Sequence, residues 1–514
     1  MFKPSKYQEE IFKWFRNPRG PIVISAVAGS GKTTTLVNGM KEGQATGNRM
    51  FAAFNTSIVK ELKSRLPESV NCQTLHSLGL ATLRRNFSAV KKWDVENGNT
   101  KYRAMARDLK LPDEDWRLLV DRSAIQDCVL SLLNYAQMTL APIEEKSLLA
   151  LADRFGVEIP SEVPIEWITE TVGEMLDTGA ALAQKGLISY SDMIYMPAAL
   201  GLRPQSYSMI AVDEAQDLNK SQMALLTSAL AHNGNFIAVG DRQQAIYMFA
   251  GAESDSFDQL KKHFGAEELP LNYCYRCPEK VINLAKTIVP QIEAPEGTRP
   301  GVVDEVTNDK FQSMLRPGDM VLCRLTAPLV KLCFQLIGKR INATVRGRDI
   351  GQQIANTVMT IMKRNTNISE FPARMYAWQE SQLNLLRAKL GSENQQESVN
   401  DRVDCLSIMF ATFKPYSVQD FCQKIRNLFS DESGSPITLC TVHRAKGLEN
   451  DRVFIIKPEC LPLVRKNQTP AQFEQEMNLK YVAITRAKEE LYSVLSPPED
   501  VATRTNPGLP GITK

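Results

Sequence analysis

Histidine is scarce in this sequence, with four in 514 residues. No Cys/His cluster accompanies them, so they do not read as metal ligands. The ten cysteines are scattered, which points to free thiols in a reducing, cytoplasmic setting rather than a disulfide framework. Net charge is nearly absent: 61 Lys+Arg against 58 Asp+Glu leave +3. That total does not advertise a nucleic-acid binder, yet a basic groove can hide inside a neutral sum. No apolar run reaches the roughly 18 residues of a membrane span. The opening MFKPSKYQEE has no apolar signal core. No internal repeat is found. The expectation is an intracellular chain with no membrane partner.

What the chain has is length and ordinary globular composition. Residue count alone suggests two to four domains, and 43% apolar with 23% charged residues supports packed cores. Short apolar runs alternate with longer helical patterns. PIVISAV (Pro21–Val27), RMFAAF (Arg49–Phe54), SMIAV (Ser208–Val212) and NFIAVG (Asn235–Gly240) read as buried strands. The texture returns in MVLCR (Met320–Arg324), ITLCTV (Ile437–Val442) and RVFIIK (Arg452–Lys457). Strands separated by helices indicate parallel sheets, so two α/β domains are expected. Helical stretches such as SAIQDCVLSLLNYAQ and ITETVGEMLDTGAALAQ interrupt the first. A Gln-, Asn- and Arg-rich helical stretch interrupts the second. The expected layout is a first domain over 1–85 and 186–265 with an insertion over 86–185. A second domain is expected over 266–350 and 432–496, with a short insertion over 351–431. The Pro- and Gly-rich tail, 497–514, reads as disordered.

The first chemical motif is AVAGSGKT, Ala26–Thr33. A strand, a Gly-rich turn (Ala28, Gly29, Ser30, Gly31) and a helix make an anion seat, because backbone N–H groups converge where the helix N-terminus adds positive charge. Lys32 is placed to reach terminal phosphates and the Thr33 hydroxyl to ligate Mg²⁺. The usual first glycine of such a turn is Ala26 here. The second motif is SMIAVDEAQD. Asp213 follows an apolar strand and can hold Mg²⁺, directly or through water. Glu214 is placed to polarise an attacking water. Nucleotide hydrolysis needs both parts, a cation for the developing phosphate charge and a group that orients water.

With these two motifs quoted, the chain resembles superfamily 1 helicases of the UvrD/Rep type. AVAGSGKT is that family's form of the turn, Ala26 included, and VDEAQD its acidic motif. VGDRQQAIYMFAGA (Val239–Ala252), YRCP (Tyr275–Pro278), TVHRAKGLE (Thr441–Glu449) and YVAITRAK (Tyr481–Lys488) resemble further motifs, in the family's order. The resemblance implies two RecA-like domains with ATP and Mg²⁺ between them and a helical insertion in each. By resemblance, Gln8 reads the adenine edge, Tyr275 stacks on the base, and Gln244 senses the γ-phosphate. Arg276 and Arg486 are arginine fingers, whose planar guanidinium groups match phosphate oxygens. Glu449 binds a ribose hydroxyl, with Gly447 beside it. Taken alone, Gln8 would read as a solvated helix residue, Tyr275 as a core tyrosine, and each arginine as half of a surface ion pair.

The implied track is single-stranded DNA, gripped by phosphate contacts and aromatic stacking. Phe54 and Asn55 in AAFNTS, Thr74 and His76 in TLHSL, Tyr247 and Phe249 in IYMFAG, and Thr441 and His443 in TVHRAKG match the family's DNA-facing positions. Several positions depart from the pattern. Thr34 stands where an arginine usually covers the base, and it cannot make that cation–π contact. Phe249 replaces a tryptophan, Ala250 an arginine, and Cys274 an asparagine. Cys274 with Cys277 makes a C-x-x-C, which invites a zinc or redox reading, but no second pair lies nearby in sequence and neither use is expected. The short second insertion weakens any analogy with partner docking through it. The function implied is ATP-driven 3′–5′ translocation with strand separation at single-strand/duplex junctions. Two other readings are a protein-stripping translocase and an ATP-gated DNA-binding subunit of a repair, recombination or defence complex with weak unwinding of its own, partnered by repair, replication or nuclease proteins.

Overall fold

A computed structural model describes residues 3–43, 47–110, 122–160, 163–246, 256–362, 367–387, 393–429, 437–464 and 468–495. The tail after Ser496, together with Tyr247, Phe249 and Ala250, lies outside the described residues. The chain divides into two compact units. The first holds Met1–Ala26 and Gly31–Asn272, and the second Val27–Ser30 and Tyr273–Lys514.

In the first unit the described residues form a six-stranded sheet from β1 (Ile22–Ala26), β2 (Arg49–Ala53), β3 (Val70–Thr74), β4 (Tyr207–Val212), β5 (Leu230–Gly240) and β6 (Glu267–Leu271). The strand order is β3-β2-β4-β5-β1-β6, and every pairing is parallel. IVISA and YSMIAV suit this position because interior parallel strands are covered on both faces and tolerate continuous apolar runs. Alternation along β1 sends Ile22 and Ile24 into one core, with Leu36, Val37 and Met40 of the helix Lys32–Glu42. Val23 enters the opposite core, with Ile210, Phe236 and Leu226. The register sets Ser25 beside Gly240 and Val212 beside Ala238. The residues that follow β1, β4 and β5 therefore emerge together at one edge, the carboxyl ends where parallel sheets place their ligands.

Between β3 and β4 the described chain is helical, from Leu75–Asn86 to Tyr190–Ala199, and much of it has a core of its own, including Val129, Leu132, Leu148, Ile168 and Val172. One polar cluster is buried there. Lys101 Nζ lies 2.6 Å from Asp192 and donates to Gly179 O at 2.8 Å. The Tyr102 hydroxyl donates to Asp192 at 2.8 Å. Such a pair survives burial only when both charges are paired and hydrogen-bonded.

The second unit repeats the architecture with β7 (Val302–Thr307), β8 (Met320–Cys323), β9 (Ala343–Val345), β10 (Ile437–Thr441), β11 (Asn450–Ile456) and β12 (Ala487–Leu495). The order is β7-β12-β11-β8-β10-β9, again parallel throughout. The fold class is thus α/β with two parallel sheets, as two RecA-like domains require. Helices Arg348–Met362, Phe371–Arg387, Glu393–Phe413 and Val418–Leu428 lie between β9 and β10. Unlike the helical stretch of the first unit, they share one continuous core with the sheet: Phe371, Leu406 and Phe421 pack in the same cluster as Val321, Leu439 and Phe454. Among the described residues no helix is long and apolar enough to cross a membrane.

Candidate functional site

β1 ends at Ala26 and the chain turns before the helix Lys32–Glu42. Two glycines make the turn possible: Gly29 has φ +65° and Gly31 φ +78°, values that cost other residues free energy. Gly31 occupies the N-cap and offers no side-chain cap, so the first backbone N–H groups of the helix are left for an anion. The Ser30 hydroxyl is buried without a hydrogen-bond partner. A buried orphan donor is costly, and phosphate oxygens are acceptors that would satisfy it.

Asp213 and Glu214 follow β4. The Thr33 hydroxyl donates to an Asp213 carboxylate oxygen, and Lys32 Nζ lies 3.4 Å from Glu214. Glu214 has a left-handed backbone, φ +53°. Its carboxylate accepts from Gln216 Nε2 at 2.7 Å, and Gln216 Oε1 accepts from the Asp241 N–H at 3.1 Å. Asp241, at the end of β5, accepts from Gln244 Nε2 at 2.7 Å. Lys32, Glu214, Gln216, Asp241 and Gln244 thus make one connected network across the ends of β1, β4 and β5. Gln216 and Asp241 escaped the reading of the sequence. Asp241 carried a usable signal, since it follows an apolar strand just as Asp213 does.

Burial and repulsion from Glu214 push Asp213 up to about 6, against the Thr33 hydroxyl and Lys32. Asp241 is also pushed up by burial, with Lys32 opposing. Such under-compensated carboxylates fit a divalent cation. Thr33 and Asp213 would hold Mg²⁺, with phosphate and water oxygens completing the shell. Among the described residues no group of three or more His, Cys, Asp or Glu side chains forms a cation site of its own. A carboxylate raised above its unfolded value favours folding at low pH, and that contribution is lost as pH rises towards 6. A cation competes with the proton for the same oxygens. Mg²⁺ affinity should therefore weaken about tenfold per pH unit below about 6, as read from the Mg²⁺ dependence of turnover. A dependence that stays flat down to about pH 5 would contradict the Asp213 assignment.

Comparison with known proteins decides the family. Residues 7–265 match the UvrD/REP helicase N-terminal domain, and residues 253–496 match the UvrD-like helicase C-terminal domain. The chain belongs to the UvrD/Rep helicase family. Its enzyme class is that of ATP-dependent DNA helicases. DNA helicase II of Haemophilus influenzae is 22% identical over 92% of this chain and 82% of the relative. ATP-dependent DNA helicase Rep of Buchnera aphidicola is 25% identical over 52% of this chain and 43% of the relative. F-box DNA helicase 1 of Gallus gallus is 24% identical over 92% of this chain but 47% of the relative. The chain therefore spans less than half the length of the last two.

The remaining nucleotide candidates of this helicase have specific surroundings. Gln8 is buried rather than solvated. Its oxygen accepts from the Ser5 N–H in a capping box, and its nitrogen donates to Thr35 Oγ1 at 3.0 Å. The Thr34 hydroxyl accepts from the Arg65 guanidinium at 3.4 Å, so an arginine from the turn after the helix Thr56–Lys63 lies beside it. In the second unit Tyr275 is half exposed. Arg276 Nε lies 2.6 Å from Glu449: two residues read separately from the sequence are each other's partners. Arg486 is fully buried, and its guanidinium donates to Val482 O and Leu448 O, both at 2.9 Å. Gly447 is exposed with φ +81°. The Ala28 N–H donates to the Tyr481 hydroxyl at 2.8 Å, a contact the sequence did not announce.

Among the DNA candidates, Phe54 is 57% exposed, one of several large apolar side chains at the surface among the described residues. Asn55 caps the following helix by accepting from the Ile58 N–H at 2.9 Å. Thr74 caps the next helix and is buried. His76 packs edge-on against Tyr190, 5.9 Å between ring centres, and burial pulls its imidazole down. Tyr190, which the sequence reading passed over, is 58% exposed. In the second unit Thr441 closes β10 and is buried. Burial and the nearby Arg324 pull His443 down to about 3. Held neutral in this way, the imidazole can donate a hydrogen bond but carries no charge.

Proposed function

We propose that this chain is a motor that moves 3′ to 5′ along single-stranded DNA and separates strands at junctions, driven by ATP hydrolysis. The network joining Lys32, Glu214, Gln216, Asp241 and Gln244 beside the Thr33–Asp213 pair carries the reading, because it assembles the parts that phosphoryl transfer to water requires. Lys32 and the turn N–H groups hold and neutralise phosphate oxygens. Glu214, fixed by Gln216, accepts the proton of the attacking water. Gln244, tied to Asp241, stands where a terminal phosphate oxygen would be sensed. Bound Mg²⁺ supplies charge neutralisation at the phosphates. Arg276 and Arg486 are assigned as the cations that neutralise charge on the transferred phosphate, and cycles of nucleotide grip and release move the strand.

The names of the relatives, DNA helicase II and Rep, support DNA as the track. Phe54 and Tyr190 are exposed aromatics of the first unit, Tyr190 edge-on to His76, and each offers a face on which a base could stack. Ten free cysteines support work in a reducing compartment such as the cytoplasm. The test measures ATP turnover with single-stranded DNA and with RNA of the same sequence, then strand displacement on duplexes bearing a 3′ or a 5′ tail. DNA-stimulated turnover with displacement from the 3′ tail is expected. Stimulation by RNA alone would overturn the track, and displacement from the 5′ tail the polarity. Turnover without displacement would favour the stripping translocase or the subunit of a larger complex.

A further inference from the structure

We propose that Arg242 is a positioning residue for ATP hydrolysis, a clasp that fixes Gln244 relative to the end of β1. The effect on turnover rests on the proposed nucleotide site; the geometry of the clasp does not. Arg242 opens the short turn Arg242–Gln244 that follows β5, with Asp241 as its N-cap. Asp241 accepts from the Gln243 N–H at 3.1 Å and from Gln244 Nε2 at 2.7 Å. The Asp241 carbonyl accepts from the Gln244 N–H at 2.9 Å, and the Arg242 carbonyl from the Ala245 N–H at 3.2 Å. All these bonds are local. They give the turn its shape but not its place against the neighbouring strands.

The Arg242 side chain sets that place. Its Nη1 donates to Ser25 Oγ and to one Glu268 oxygen, both at 2.8 Å. Its Nη2 donates to the other Glu268 oxygen at 3.2 Å and to Asp258 at 2.6 Å. The guanidinium also lies over the Phe257 ring, 4.3 Å from its centre. Ser25 belongs to β1 and pairs with Gly240, the last residue of β5. Glu268 belongs to β6, and Phe257 and Asp258 to the helix Ser256–Phe264. The strand order runs β5-β1-β6, so one side chain ties the exit of β5 across β1 to β6. A planar fork on two carboxylate oxygens fixes angle as well as distance, which an isolated surface ion pair does not.

Stability is not the main contribution of this cluster. Without Arg242, Glu268 keeps Lys261, whose Nζ lies 2.8 Å away. The Asp258 side chain is 60% exposed, so water solvates it. Neither acid is stranded, and the loss falls on the placement of the turn. The Arg242 fork, with Lys261, holds Glu268 down to about 2 against burial, so the clasp stays charged near neutral pH. Gln244 can sense a terminal phosphate only from a fixed position, and a misplacement of about 1 Å costs about a hundredfold in rate.

The test measures ATP turnover of the full chain on saturating single-stranded DNA for Arg242→Ala, Gln244→Ala and the double variant. Amide exchange over residues 240–246 is followed alongside by mass spectrometry. Arg242→Ala should lower kcat about tenfold with KM for ATP within about threefold of the parent, and should speed exchange in that segment. The double variant should be no slower than Gln244→Ala alone, because the arginine acts through the glutamine. Arg242→Lys keeps a charge for Glu268 without the fork and should recover part of kcat. A kcat within about twofold of the parent, unchanged exchange, or losses that multiply in the double variant would overturn the proposal. Parent-like turnover in Gln244→Ala would count against the nucleotide reading instead, and exchange would still decide the clasp.

Discussion

Lys32→Ala is expected to lower ATP turnover by at least about a hundredfold, while binding of single-stranded DNA persists. The lysine does two things at once. It supplies positive charge where phosphate oxygens gather, and it lies 3.4 Å from Glu214 while restraining the upward shifts of Asp213 and Asp241. Without it, three acidic groups at the ends of β4 and β5 face one another with less compensation. The Lys32 charge no longer holds Asp213 down, so the cation seat weakens along with the phosphate seat. Lys32→Arg keeps the charge but spreads it over a planar fork that does not copy a point charge, so only partial recovery is expected. Phosphate release under saturating Mg²⁺ is the measurement. Turnover within about threefold of the parent would remove the turn from the site.

Arg486→Ala should separate two roles. As a phosphate contact its loss is expected to slow hydrolysis by about a thousandfold, with nucleotide affinity changed far less. As a buried side chain it also satisfies Val482 O and Leu448 O, and each carbonyl left unsatisfied costs about 1–3 kcal/mol. A lower melting temperature is therefore expected as well. Arg486→Lys keeps the charge without the fork and should recover part of the stability but little of the rate. The decisive comparison is turnover per folded molecule. If affinity, turnover and folded fraction all fall together, the structural role is sufficient and the part in hydrolysis is discarded.

The strands that could be read from the sequence are interior ones: β1, β2, β4, β5, β8, β10 and β11. Four that were missed, β3, β6, β7 and β9, are the two edges of each sheet. An edge strand needs fewer apolar residues and often carries polar or proline residues that discourage pairing with other chains. VNCQT, EELPL and VVDEVT show this. The other miss, β12, lies beside edge strand β7 and begins Ala-Lys-Glu-Glu, charges that break any apolar run. The candidate site divides in a similar way. Lys32, Thr33, Asp213 and Glu214 were legible because adjacent residues in fixed spacing carry the chemistry. Gln216 and Tyr190 were not, because their value comes from what the fold brings beside them, whereas Asp241 carried a signal in the apolar strand that precedes it. Arg276 and Glu449, 173 positions apart, could be read only as separate residues, since nothing local marks a long-range partner.

The left-handed backbone at Glu214 bears on how an inactive form should be made. A glycine would relax a conformation that costs a side-chain-bearing residue roughly 1–3 kcal/mol, so Glu214→Gly would combine a lost carboxylate with a relieved main chain and could outlast the parent on heating. Glutamine retains the shape and the main-chain tension, and only the charge changes. Here the proposed general base occupies a position that conformational preference alone would assign to a residue with no side chain, and on that reading durability is traded for chemistry at this one peptide.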